Sequence, residues 1–298
     1  MIKSILLMGS TGFIGKNIYN NLSKNKSLKI FRYSSKLNTF IDKVTLEKFD
    51  ILIFASGVHK ASDYQNNDIF LESKNNIKIL YNFMHKVEKV IFISSFKTSF
   101  NKSQNIIKDS TKYDFYNNDS LYGKSKILAE KIFLRLCKIK KKKYTILSPT
   151  HVIGPEDKLN SINNLEIKKI YQKKIFFYPD CLISLIDVRN ISYFIESIIF
   201  SESYDNQKII CNDKSLKYID YIKIIKNKKI FLYFKLNKYL LKLIYSMQKY
   251  LLNFKIIRKE MINKSQISYI DLNPIIETSY YTKQISFDET MTDIKKLL

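Results

Sequence analysis

Apolar residues along the chain fall into short runs that alternate with stretches of helical spacing. Residues 2–8 form a compact apolar run that ends at a glycine, as a buried strand does. Residues 13–22 carry helical periodicity. Further strand-like runs lie at 28–33, 50–55 (DILIFA), 89–94 (KVIFIS) and 144–147 (YTIL). Between them, residues 69–84 place Ile77, Leu80, Tyr81 and Met84 at helical spacing, and residues 121–136 read as another helix. Strands alternating with helices predict an α/β fold with a parallel sheet covered on both faces. Right-handed crossovers make such a sheet doubly wound, and residues 1–150 are expected to form it.

Beyond Pro149 the pattern is less regular. A strand is expected at 182–187, helices at 188–200 and 288–298, and a basic, apolar helical stretch at 235–252. No Pro/Gly/Ser-rich linker or repeat separates the halves. Residues 151–298 therefore read as a smaller C-terminal lobe, interwoven with the first. The 235–252 stretch is expected to pack in the core of that lobe, with weak peripheral membrane contact as the alternative.

Ligands of doubly wound sheets bind at the carboxyl ends of the strands, where the strand order reverses. Gly9-Ser10-Thr11-Gly12-Phe13-Ile14-Gly15 follows the first strand and opens the first helix. Gly9 suits the tight turn, Gly12 lets a pyrophosphate approach the backbone, and Gly15 allows close helix packing. This is a Rossmann dinucleotide turn in the right context. The second strand ends without the carboxylate that would bind a ribose 2′-hydroxyl. Arg32 and Ser34 stand there instead, which points to NADP, with NAD as the alternative.

Tyr122 and Lys126 are separated by one helical turn, so they share a face. An ammonium beside a phenol favours the phenolate, making tyrosine a usable acid and base. Ser95 ends the fourth strand at the same sheet edge, where its hydroxyl can reach the same substrate oxygen. Ser120 and Asp119 read as N-cap candidates for the helix that carries the pair.

These residues resemble the extended short-chain dehydrogenases/reductases, the group of nucleotide-sugar epimerases, dehydratases and reductases. The resemblance runs through GSTGFIG at 9–15, FASGVH at 54–59, Asn75-Asn76-Ile77, IFISS at 91–95 and YGKSKILAEK at 122–131. It continues through TILSPTHVIGPED at 145–157 and LIDVRNISYFI at 185–195. It implies a catalytic set of Ser95, Tyr122 and Lys126. It implies cofactor contacts from Gly9, Thr11, Gly12, Phe13, Ile14, Gly15, Arg32, Ala55, Ser56, Gly57, Lys126 and Pro149. Substrate contacts are expected from Ser95, Lys97, Thr150, His151 and Arg189. Phe96-Lys97 stand where the dehydratases place Asp-Glu, which argues against a dehydratase, and Ser148 stands where arginine is usual. The implied function is reduction of a nucleotide-linked 4-keto sugar with NADPH, for surface polysaccharide. A 4-epimerase retaining NAD is the alternative, and a non-catalytic dinucleotide-binding subunit the alternative of another class. A homodimer is left open.

Charge complicates this picture less than it first suggests. The 298 residues carry a net charge of +24, which raises the prospect of a polyanionic partner. Only four of the 51 basic residues are arginine (Arg32, Arg135, Arg189, Arg258), so guanine- and phosphate-reading forks are scarce and no nucleic-acid partner is expected. The basic run at 138–143 reads as a solvated helix end. At 45% hydrophobic and 14% aromatic the chain is too apolar for disorder. No apolar run reaches the ~18–20 residues of a membrane span. Cys137, Cys181 and Cys211 lack disulfide or zinc spacing, which suits a reducing cytoplasm with no metal. His59, near the cofactor edge, reads as a structural or solvent-facing histidine, with a pyrophosphate or substrate contact as the alternative, and His85 is assigned no chemistry.

Overall fold

The structure is a computed structural model that describes residues 2–34, 39–43, 48–57, 68–100, 105–118, 120–155, 161–227, 231–254, 270, 273–278 and 283–298. The first half contains β1 (Lys3–Met8), α1 (Phe13–Leu22), β2 (Leu28–Ser34), β3 (Thr39–Phe40) and β4 (Phe49–Phe54). It continues with α2 (Asp68–Phe83), β5 (Val87–Ile93), β6 (Ile106–Ile107), α3 (Leu121–Lys140) and β7 (Lys143–Pro149). The second half contains β8 (His151–Ile153), α4 (Ile162–Gln172), β9 (Ile175–Pro179), β10 (Leu182–Asp187), α5 (Val188–Phe200) and β11 (Gln207–Cys211). After these come β12 (Lys214–Lys217), α6 (Tyr218–Lys226), β13 (Leu232–Leu236), α7 (Lys238–Asn253), β14 (Ile275–Ile276) and α8 (Phe287–Lys295).

The central sheet has seven strands in the order β11-β7-β5-β4-β1-β2-β3. All its pairings are parallel except β2 with β3. Both faces are covered, so Ile5 to Met8 of β1 are fully buried and apolar without a break. Side chains alternate between the two faces. Ile5, Leu7, Ile53, Ile91, Ile93 and Leu147 meet Ile18 and Leu22 of α1 and Ile191, Phe194, Ile195 and Ile198 of α5. Leu6, Met8, Phe54, Phe92 and Ile146 meet Ile77 and Leu80 of α2 and Phe133 and Cys137 of α3.

The first lobe therefore draws on both sides of residue 150. Helix α5 covers half of one face, and β11 pairs with β7 at the sheet edge. Lys89 of β5 strengthens this return, bonding Asp205 at 2.6 Å and the Ile198 carbonyl at 3.0 Å. The smaller lobe comprises the β8-β10-β12 sheet, the parallel β9-β13 ribbon and helices α4, α6 and α8. Its core gathers Ile153, Ile167, Leu185, Tyr221, Ile222 and Ile294. The expected 235–252 helix begins three residues late, because 232–236 pair with β9. That helix is not core-packed along its length. Leu241 and Gln248 are buried, whereas Leu243, Met247 and Tyr250 are exposed.

After β2 the chain crosses to the other side of β1 to form β4. The crevice between the carboxyl ends of β1 and β4 is thus the switch point where a ligand is expected. Since α5 supplies core side chains to the first lobe, Phe194→Ala should destabilise the whole protein by about 3–5 kcal/mol. Urea unfolding should show one shifted transition rather than early loss of the C-terminal lobe alone.

Candidate active site

The glycine turn is built for close backbone contact. Gly9 has φ +83°, and a Cβ there would lie 2.7 Å from the Ala55 carbonyl carbon at the β4 end. A Cβ on Gly15 would lie 2.0 Å from the Gly9 oxygen, so helix and turn touch only because residue 15 is glycine. Gly12 differs, because its Cβ position meets nothing closer than 3.5 Å and the space is open. Gly12 is also the N-cap of α1, with no side chain capping the first turn and no acidic residue in it. Ser10 Oγ is buried beside this turn without a hydrogen-bond partner. An open cradle, an uncapped helix N-terminus and an unsatisfied donor fit a pyrophosphate.

Arg32 is placed differently from the expectation. Its Nη2 lies 2.6 Å from Asp42 Oδ1 and its Nε 3.1 Å from both carboxylate oxygens, while its backbone N–H donates to Oδ2 at 2.7 Å. The guanidinium lies 4.4 Å from the centre of the Tyr19 ring. Hydrogen bonding to Arg32 holds the Asp42 carboxyl below its usual range. A fork already engaged by a carboxylate is a weak ligand for a 2′-phosphate. Asp42, just after β3, thus stands beside Arg32 of β2.

Ser95, Tyr122 and Lys126 are brought to one edge by a short chain of contacts. Ser95 caps a 3₁₀ turn at Phe96–Ser99, its Oγ accepting from Lys97 N at 3.3 Å. Ser120 Oγ caps α3, accepting from Gly123 N at 3.1 Å. Asn118 joins the two, donating to the Lys97 carbonyl at 2.7 Å and accepting from Ser120 N at 3.0 Å. The Lys126 ammonium is buried 5.8 Å from the centre of the Tyr122 ring. It also lies 3.1 Å from the Cβ position of Gly57, so any side chain there would crowd it. Ser56 is buried beside Gly57, and Pro149 ends the neighbouring β7 in the sheet interior. His59 and Asp119 lie outside the described residues, whereas Thr11, Phe13 and Ile14 line the glycine turn.

A buried network fixes this edge from beneath. Glu130, one turn beyond Lys126 on α3, accepts from Ser94 and pairs with Lys208 of β11 at 3.2 Å. Lys208 also donates to Thr98 Oγ1 at 2.7 Å, and its ammonium lies over the Tyr113 ring. The sequence contained a signal for Glu130, which sits at helical spacing from Tyr122 and Lys126.

A cavity of about 330 Å³ adjoins the set, lined by Lys97, His151, Glu166, Tyr218, Phe177 and Leu241 among others. Lys97 lies 5.9 Å from the Tyr122 ring centre, on a side chain whose pKa burial lowers. His151 Nδ1 donates to the Ser184 carbonyl at 2.9 Å, and the ring packs edge-on against Phe96. Burial and then the Lys97 charge hold its pKa down to about 4. Tyr218 donates to Glu166, whose carboxyl burial pushes upward. Sequence reasoning missed this pair, since 52 residues separate its members. Thr150 is buried, its hydroxyl bonded to Asn212 at 3.2 Å. Arg189 stands apart from the cavity, its guanidinium 2.7 Å from both Asp187 and Asp293, on the α1 side of the sheet.

Two consequences are measurable. Alanine is normally the better helix former by about 1 kcal/mol. At Gly123, however, its Cβ would meet the Asn118 amide at 2.7 Å. Gly123→Ala should therefore lower stability by about 1–2 kcal/mol, through loss of the Asn118 bonds, and lower the melting temperature. His151 is neutral when folded, and its unfolded pKa is near 6.5. Its contribution is intact above pH 6.5 and is lost as pH falls towards 4, because the unfolded chain takes the proton first. A pH series of melting temperatures should fall less steeply over that window in His151→Gln.

Comparison with known proteins places these features in a family. The sequence profile of the NAD dependent epimerase/dehydratase family matches residues 5–184. No curated protein matches the chain. The fold is similar to UDP-glucose 4-epimerase from Thermotoga maritima, solved with UDP-glucose, at TM-score 0.71 and 14% identity over 99% of this chain and 98% of that one. It is similar to UDP-glucuronic acid 4-epimerase from Bacillus cereus, in complex with UDP-4-deoxy-4-fluoro-glucuronic acid and NAD. There the TM-score is 0.68 and the identity 14%, over 99% and 100% of the chains. RMD from Pseudomonas aeruginosa, complexed with NADPH, gives 0.68 and 13% over 99% of each chain. At these identities the structures speak for the fold alone, whereas the profile spans more than half the sequence. The chain belongs to the NAD dependent epimerase/dehydratase family.

Proposed function

We propose that this protein uses bound NAD for reversible oxidation at a ring hydroxyl of a nucleotide-linked sugar, with 4-epimerisation as the net reaction. The observation that carries the reading is the position of Lys126, buried between Gly57 at the β4 end and the ring of Tyr122. A cation beside a phenol at the carboxyl end of the sheet supports acid–base work next to a bound dinucleotide.

Residues Gly9 to Gly15 would hold the pyrophosphate at the α1 N-terminus, and Ala55, Ser56, Gly57 and Lys126 would flank the nicotinamide end. When bound, the nicotinamide ring supplies the hydride acceptor and donor. Tyr122 takes the proton from the sugar hydroxyl and later returns it. The charge of Lys126 stabilises the tyrosinate that takes that proton, and Tyr122 is the neutral phenol until it gives the proton back. Ser95 orients the sugar oxygen, and Lys97 and His151 line the cavity wall. An epimerase also needs room for the keto intermediate to present its other face, and the cavity lined by Lys97, whose ammonium lies 5.9 Å from the Tyr122 ring centre, supports that reading.

The Arg32–Asp42 pair moves the preference away from the NADPH-dependent reductase expected from sequence. A carboxylate beside the ribose end disfavours a 2′-phosphate, and retained NAD suits a reaction with no net redox change. Binding without turnover would instead suit a non-catalytic subunit, for which nothing requires the buried Lys126.

Tyr122→Phe should lower turnover of UDP-hexoses by about 10²–10⁴-fold, the range for a lost acid–base group. NADH binding, read by fluorescence titration, should be nearly unchanged. Full turnover in that variant would overturn the assignment. Wild-type protein should bind NADH at least about tenfold more tightly than NADPH. Asp42→Ala should narrow that ratio by freeing the Arg32 fork.

A further inference from the structure

Helix α7 presents three faces. Leu241 and Gln248 turn into the lobe and are 4% and 1% exposed. Lys238 and Lys242, one turn apart, are exposed along one flank. The remaining arc carries Tyr239, Leu243, Met247 and Tyr250, which are 72%, 56%, 56% and 67% exposed. Phe254, just past the helix, extends the stripe at 63%. The β9-β13 ribbon runs directly into α7 and adds Phe177 stacked on Phe234 at 5.5 Å, both exposed. Scattered surface leucines need no explanation, but a continuous apolar stripe marks an interaction site.

Charge selects the partner. Residues 221–259 contain no Asp or Glu, while exposed Lys223, Lys235, Lys238 and Lys242 recur through them, Lys235 beside Asp180 at 2.6 Å. A second copy of α7 packed on the first would set lysines against lysines, with no carboxylate on either helix to offset them. An anionic lipid surface accepts both features together. The apolar arc enters the acyl boundary, and the lysines reach the phosphates with their stems lying along apolar surface. Among the described residues no helix is long and apolar enough to cross a membrane, so α7 would lie in the interface plane.

We propose that α7 and the β9-β13 ribbon dock this protein on an anionic membrane surface. Phe177, Leu236 and Leu241 belong to these elements and also line the 330 Å³ cavity. The docking face and the candidate substrate cavity therefore share walls, and docking holds that cavity at the bilayer. The inference does not depend on the catalytic assignment, because lipid binding is read without turnover.

The test is co-sedimentation of the full chain with sucrose-loaded vesicles of phosphatidylglycerol and phosphatidylcholine, against vesicles of phosphatidylcholine alone. The expected result is binding to the anionic vesicles only. A Leu243→Glu/Met247→Glu variant should reduce it about tenfold or more, while melting temperature and NADH binding stay as in the wild type. Both positions are exposed, so the variant should fold. Absence of binding to anionic vesicles overturns the proposal. So does equal binding by wild type and variant, which would assign the effect to charge elsewhere. Sedimentation velocity supplies the third outcome: a wild-type dimer that the variant converts to monomer makes the face a contact between copies and overturns lipid docking.

Discussion

The candidate site depends on one buried charge. Glu130 has no exposed surface, so its carboxylate must be met by partners from every element around it. Ser94 at the end of β5, Lys208 of β11 and, through Lys208, Thr98 in the turn after Ser95 supply them. These contacts fix the rotation of α3 about its axis and its height against the sheet. Tyr122 and Lys126 occupy the same face of α3 as Glu130, and Ser95 follows Ser94 directly. One buried carboxylate, hydrogen-bonded through one oxygen and ion-paired through the other, thus holds three separate stretches of chain in register. Leaving such a charge without partners costs several kcal/mol, and a misplacement of about 1 Å at reacting atoms costs about a hundredfold in rate.

Lysine does more in this protein than solvate its surface. Lys89, Lys97, Lys126, Lys208 and Lys226 all lie largely inside, each with a different kind of neighbour. Lys89 meets Asp205 and backbone carbonyls, Lys226 meets carbonyls and the Phe176 ring, and Lys208 meets Glu130. Lys97 and Lys126 instead flank the aromatic ring of Tyr122. Long flexible stems let an ammonium reach a distant carbonyl while the methylenes fill apolar space. The excess positive charge is therefore partly internal architecture. Around α7, where residues 221–259 contain no Asp or Glu, exposed lysines lie beside an exposed apolar stripe.

Much of the fold was legible in the sequence. The alternation of apolar runs and helical spacing located β1, β2, β4, β5, β7, α1, α2, α3 and α5, because each is amphipathic or fully buried over its own length. Strands β8, β9, β11, β12 and β13 were not legible. They are short, and β9 and β13 have exposed apolar positions that break any alternation. Gly9, Gly12 and Gly15 could be read as a ligand turn because their roles are local, set by backbone conformation and contacts a few residues apart. Tyr122 and Lys126 could be read as a pair because one helical turn fixes their spacing.

Relations across the fold had no such local signature. No spacing rule links Arg32 to Asp42, Asn118 to Lys97, or Glu166 to Tyr218, so the ion pair beside β2, the link between Lys97 and α3 and the cavity wall were decided only in three dimensions. Arg189 shows the same limit from the other side, since its motif was visible but its partners Asp187 and Asp293 were not. By itself the sequence determined the sheet, the glycine turn and the shared helix face of Tyr122 and Lys126, which are written in periodicities of two and 3.6 and in glycine placement. Tertiary structure decided which charges are already neutralised and which apolar faces remain open. Both depend on long-range packing, where partners are chosen by geometry rather than by distance along the chain.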